Sequence, residues 1–412
     1  MSRYNFAEKL VAQTYDGAAV MALALNGLQA KVREIALAAT FVHCYTHRLN
    51  LVLSQGVKSV PKARVFFVHP GGFTSFFSKS SKRVALLEES DCAKMHRNAP
   101  TRWNFSSRVV NTVAGNHEKL VDTFTRVVEH PSMDDETTRL ADGLKAKLDD
   151  FEFMFLLFTF EELFAQTDVL FNILQHKAMD VAFCKRRIES FMQLLVELSK
   201  AASLTEDPEL GHSRKRRRGE QDHRQVYKTL YHSVHDSIRA QLTQRFQQLD
   251  RLHFMELLDF EKFESFKTEF PTHALSNLSE TYGNFFDEAK LKVELQHFYS
   301  DAEIHTSRKL CDAISFMKSN GLDEAMSEVY RLMCLIATIG ATSAGVERSF
   351  SCLKRIKSFT RNTMGQERLK NLAIISIERR ILKSLQQDPQ WYEQVIDKFA
   401  TQTSRRLDFF LK

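Results

Sequence analysis

Apolar side chains recur along most of this chain at the spacing of an α-helix. From about Ser106 to Phe298 the stretches VVNTVAGNHEKLVDTFTRVV, TTRLADGLKAKLDDFEFMFLLFTFEELFAQTDVLFNILQ and AFCKRRIESFMQLLVELSKAA carry them three and four residues apart, so each predicts helix. The segment DDFEFMFLLFTFEELF is apolar nearly all round and should form the buried centre of a helical bundle. A polar interruption at 203–224, with Pro208 and Gly211, reads as a linker. Helices are expected to resume with DHRQVYKTLYHSVHDSIRAQL, to break around PTHALSNLSETYGNFFD, and to resume through KLKVELQHFYSDAEI. No repeat of constant period appears, so a solenoid is not supported.

Strand patterns are few. The best are ATFVHCYT, ahead of a helix at HRLNLVLSQ, and KARVFFVHP, which Pro70 would end. Near the start, YDGAAVMALALNGLQAKVREIA places Asp16 before a helix expected to run through Met21, Leu25 and Leu28, an acid suited to the exposed N–H groups of a first turn. Residues 1–104 therefore read as mixed α/β and 105–322 as helical. A last folded unit at 323–385 is followed by a tail at 386–412. Within that unit Val346, Phe350 and Leu353 fall at i, i+4 and i+7 and should face a core, with Glu347 and Ser351 on another face. Leu369, Leu372, Ile374, Ile375 and Ile377, with Ala373 among them, form an apolar segment too wide for a lone surface helix. It should be buried in the fold or against a partner.

Composition narrows the classes. The chain has 412 residues, 43% hydrophobic and 26% charged, enough for two or three domains with a substantial core. Only 7 Pro and 14 Gly against 33 Phe favour a predominantly helical, aromatic-rich protein. A net charge of +6 is compatible with nucleic acid without requiring it. The six cysteines are scattered with no CxxC pair, which argues against a disulfide framework or zinc ribbon and for a reducing compartment. The runs FMFLLFTF and LMCLIATIG fall well short of the ~20 residues of a spanning helix, and no secretory signal or small-molecule site is evident.

Three places could carry chemistry. Cys44 and His47 have a spacing that suits a metal, but two ligands do not make a zinc site, and a buried Cys beside a hydrogen-bonded His is the plainer reading. Arg102 and Trp103 follow Pro100 at the start of a helix; such a Trp can stack on a base or simply anchor the helix. Arg214, Lys215, Arg216, Arg217 and Arg218 form a basic block in the linker, suited to nuclear import, to phosphate contact, or to solvation alone.

Taken together, YDGAAVM, VHCYTHRLNLVL, the TRW triplet and above all SAGVERSFSCLKRIKSFTRNTMGQERLKNLAIISIER resemble the hAT superfamily of DNA transposases, including zinc finger MYM-type and kinase-inhibitor-repressor relatives. The last stretch is similar to that family's C-terminal dimerisation signature. The resemblance implies an α/β plus α architecture, an incomplete RNase H-like fold interrupted by a large all-helical insertion and predominantly helical overall. It makes 1–104 the partial RNase H-like region, 105–322 the insertion, and 323–385 the RNase H-like and dimerisation region. The family's chemistry uses two Asp and one Glu to hold two Mg²⁺ or Mn²⁺ ions at a phosphodiester. Asp16 matches the second Asp and Glu347 the Glu, whereas no residue matches the first Asp. Cys44 and His47 match a CxxH motif of structural character, to which the resemblance adds Arg348 and Phe350, and Trp103 matches a base-stacking Trp. The expectation is a transposase-derived homodimer assembled through Leu369–Ile377. It would be catalytically inactive in this form and without bound cofactor, with DNA as a candidate partner and the nucleus, or alternatively the cytoplasm, as its place. Its rivals are a fragment of an active transposase and a helical interaction scaffold.

Overall fold

The computed structural model describes residues 5–95, 103–175, 181–204, 218–246, 250–301, 303–304, 309–358 and 363–401. Its chain divides into two compact units, Met1–Ser343 and Ala344–Lys412, with the boundary inside the stretch 323–385. Among the described residues the architecture is overwhelmingly helical, as the periodicity predicts.

The first unit opens on a pair of parallel strands, β1 (Ala12–Tyr15) and β2 (Thr40–His43), in a register that sets Ala12 against Thr40 and Tyr15 against His43. Their connection carries a turn of helix at Ala19–Ala22 and then helix α1, Leu28–Ile35. One helix from Asp16 through Leu28 was expected. Gly27 interrupts it, because a side chain there would meet the Leu23 main-chain nitrogen and oxygen at 2.6 and 2.5 Å, so the chain turns where a continuous helix would run. The strand β1 carries no apolar alternation to reveal it: Gln13 is buried, and its amide donates to the main-chain carbonyls of Gln29 and Ala39 at 3.1 and 3.0 Å.

Helix α2 (Tyr45–Ser59) follows β2, as ATFVHCYTHRLNLVLSQ predicts. The expected strand at KARVFFVHP is instead a helix, α3 (Pro61–Phe66), with Pro61 in its first turn, where the ring presets φ and no donor is lost. Helical spacing buries both Ala63 and Phe66 and leaves Val65 and Val68 in solvent. The Phe66 ring then stacks on Phe160, 5.6 Å between centroids.

Phe160 belongs to α4 (Phe151–Leu174), the centre of the bundle. Phe153, Leu156, Leu157, Phe160, Leu163 and Phe164 are buried there, while Phe151 and Phe158 reach solvent. Burying a side chain of this size contributes roughly 1.5–3 kcal/mol, so this one helix supplies much of the core. Helix α5 (Arg218–Phe246) lies against α2.

The expected break at PTHALSNLSETYGNFFD is helix α6 (Thr272–Tyr282). Pro271 sits at its cap, and Ala274, Leu275, Leu278 and Tyr282 form one buried stripe. Farther on, helices α7 (Glu288–Ser300) and α8 (Ser327–Thr338) pack on each other. The buried Glu294 carboxylate of α7 caps α8, accepting from the main-chain nitrogens of Glu328 and Val329 at 2.8 and 2.9 Å.

The second unit comprises α9 (Ala344–Ile356), α10 (Gln366–Ile377), α11 (Arg379–Leu385) and α12 (Trp391–Ala400), the last within the stretch read as a tail. Helices α9 and α10 pack together, and the Cys352 thiol donates to Ser376 Oγ at 2.9 Å.

Candidate functional site

Two places gather the residues that the sequence singles out, one in each unit. In the first unit it is the carboxyl end of the strand pair, where open parallel sheets bind their ligands. Asp16 directly follows β1. Its Oδ1 accepts the Ala18 main-chain N–H at 3.2 Å, an Asx turn that swings the chain off the strand and not the first-turn contact of a helix.

Beside it stands His43, the last residue of β2. A Cβ on Gly17 would lie 2.4 Å from its Cε1 and 2.6 Å from Nε2, so glycine lets the imidazole close over the turn. Burial lowers the His43 pKa to about 4. The charges of Arg48, His47 and Arg245 act in the same direction, and Asp16 opposes them. At neutral pH the ring is therefore neutral.

Cys44 is fully buried at the cap of α2. Its main-chain nitrogen donates to Tyr15 O at 2.8 Å, and its sulfur accepts from Ser343 N at 3.3 Å and lies 3.4 Å from Thr342 Oγ1. Thr14 Oγ1 donates to Gly340 O at 2.6 Å, and Tyr45 N to Ala341 O at 2.9 Å. The segment 340–343 is thus laced across the strand ends. His47 lies one turn into α2, half-buried. Among the described residues no group of three or more His, Cys, Asp or Glu is placed to hold a metal ion.

Three basic or polar residues that sequence reasoning passed over complete this place. Arg48 donates through Nη1 to Arg245 O at 3.0 Å and lies 5.9 Å from the Phe246 ring. Arg245 donates through Nη2 to Gln55 Oε1. Tyr45 is fully buried, and burial pushes its hydroxyl pKa well above the ordinary value. Arg245 lies some 200 residues from Arg48, so no local motif could join them.

The second place is the surface of the second unit. Glu347 is half-buried on α9, with Arg348 exposed beside it. The expectation that Val346 and Phe350 face a core is not met: they are 58% and 67% exposed. The helix instead buries Ala344 and Cys352, because small side chains at those positions let α9 lie close to its neighbours. On α10, Leu369 and Ala373 are buried and Leu372 is half-buried, whereas Ile374 and Ile375 are 50% and 51% exposed and Ile377 also meets solvent. Ile381 and Leu385 on α11 continue the exposed apolar series.

Asp16 and Glu347 belong to different units. Trp103 opens the helix Trp103–Gly115. Arg102, the Trp103 side chain, Arg214, Lys215, Arg216, Arg217 and the Arg218 side chain lie outside the described residues. Among those described, no helix is long and apolar enough to cross a membrane.

Residues 294–381 match the family model of the hAT family C-terminal dimerisation region. The match begins at Glu294, the residue that caps α8, and ends at Ile381, within the exposed apolar series.

Proposed function

We propose that this chain is a hAT transposase-derived protein whose function is self-association through the surface of α9–α11. The observation that carries the reading is the exposure of Val346, Phe350, Ile374, Ile375 and Ile381 within the region matched to a dimerisation family. Apolar side chains gathered in this way mark a surface that another protein covers. A second copy of the chain is the partner that the match supports.

The test is sedimentation equilibrium of the full chain. Ile374→Asp with Ile375→Asp changes side chains already half in solvent, so the variant should stay folded and sediment as a monomer. An unchanged dimer would overturn the reading. Leu369→Asp serves as contrast: that side chain is buried, and its loss should cost the fold as well as the dimer.

A second reading, cleavage at DNA phosphodiesters by an RNase H-like core, is favoured by the placement of Asp16 at the carboxyl end of a parallel strand. We place it second because the family match covers a dimerisation region; the first reading is assembly in the nucleus, with DNA as a contact and without strand cleavage. Nicking of supercoiled plasmid in Mg²⁺ or Mn²⁺, lost in both Asp16→Asn and Glu347→Gln, would reverse the order.

A further inference from the structure

We propose that the carboxyl ends of β1 and β2, with the first turn of α2, form a binding site for a phosphate-type oxyanion held by Tyr45, Arg48 and Arg245. The inference is independent of self-association.

It begins with two cations that have no counterion among the described residues. The guanidiniums of Arg48 and Arg245 are both half-buried, and Arg48 carries an Arg245 main-chain carbonyl and an aromatic face as its partners. Among the described residues neither is paired with a carboxylate; the Arg245 fork reaches only the neutral Gln55 amide. Burial and the neighbouring Arg245 charge both lower the proton affinity of Arg48. Like charges held close and partly desolvated are costly unless an anion lies between them.

The second observation is a set of polar atoms buried here without a hydrogen-bond partner: Arg245 Nε, Tyr45 Oη and His43 Nε2. Tyr45 is fully enclosed, and its ring contacts Phe246 at 5.5 Å, the same ring that Arg48 approaches. Buried polar groups are rarely left unpaired, so such a cluster points to a missing partner. Arg245 Nε and Tyr45 Oη are donors, which calls for an acceptor-rich guest. A water could accept from both but would leave the charge unrelieved. A tetrahedral oxyanion supplies several acceptor oxygens and the negative charge together, and suits the guanidinium fork.

The guest is a phosphate group, either a nucleic-acid phosphodiester or free phosphate. The test is calorimetry and thermal unfolding of the full chain with inorganic phosphate against chloride at fixed ionic strength. Wild type should bind one phosphate per chain with a rise in Tm, and Arg245→Gln should weaken binding at least tenfold. Arg48→Gln also removes a tether to α5 and can fail to fold, so Arg245→Gln and Tyr45→Phe, checked by circular dichroism, decide. Equal phosphate stabilisation of wild type and Arg245→Gln, or none in wild type, overturns the site. A 20-bp duplex that weakens the apparent phosphate affinity of wild type but not of Arg245→Gln supports the site and assigns it to nucleic acid. A duplex without that effect, while phosphate still binds wild type tightly, supports it as a free-phosphate site.

Discussion

Gly17 lacks a side chain where the His43 ring lies, and that single contact fixes the corner next to Asp16. In Gly17→Ala the new methyl would meet Cε1 and Nε2 at 2.4 and 2.6 Å, so the imidazole must leave its half-buried place. Overpacking of this kind costs about 1–3 kcal/mol, read as a lower urea midpoint. Adding His43→Ala should recover most of the loss, because the clash disappears with the ring; a purely additive double variant would refute the contact. The same ring predicts a pH dependence. Folded His43 titrates near 4 and an unperturbed imidazole at 6.5, so between those values the unfolded chain binds more protons. Stability is then full above about pH 6.5, falls as the pH drops towards 4, and levels off below. Other histidines, the buried His235 and the half-buried His69 and His253, share this direction. The informative measurement is therefore the difference in Tm slope between pH 7 and 5 for wild type and His43→Asn, with the shallower slope expected in the variant. From the sequence Asp16 was legible as a notable acid but not as the holder of an Asx turn. Gly17 and His43 carried no signal, since their meeting depends on the register of two strands.

Element by element, the sequence read well wherever one period explained the burial. The stripe through α4 and the strand-to-helix step into α2 were both visible in the chain. Misreadings came where proline or a β-branched run was taken at face value. Pro70, expected to end a strand, opens the helix Pro70–Ser78, and Pro271, in the expected break, caps α6, because a proline at a helix start gives up no needed hydrogen bond. What no periodicity could show is how near two helices come. At Gly56 of α2 a Cβ would lie 2.9 Å from Ile238 Cγ1 and 3.3 Å from Ile238 Cα on α5, and the Ser237 hydroxyl donates to Gly56 O at 2.9 Å. The obstacle includes main chain, which cannot swing aside. Gly56→Ala should thus cost about 1–3 kcal/mol by pushing the helices apart, outweighing the ~1 kcal/mol that alanine gains in an isolated helix. A variant with a raised unfolding midpoint would show that the helices separate freely.

At the scale of the molecule the contrast lies between a first unit with a continuous apolar core, running from Val42 to Ala341, and a second unit that leaves much of its apolar surface in water. The sequence showed that α10 was too apolar for a lone surface helix, and the match at 294–381 is to a dimerisation region. It did not show which side chains would do so, because helical spacing assigns faces but not which face the fold covers. Val346 and Phe350 have the spacing of core residues and stand in solvent, while Cys352 faces inward. If a second copy covers that face, unfolding is coupled to dissociation, and Tm must depend on protein concentration. With an enthalpy of roughly 0.7 kcal/mol per residue, the wild type should gain about 1 °C for each tenfold rise in concentration. The Ile374→Asp, Ile375→Asp variant should show no such dependence and should melt below the wild type at every concentration. Equal slopes in the two proteins would place the contact between copies elsewhere, and a flat wild-type slope would mean that unfolding does not involve dissociation at all.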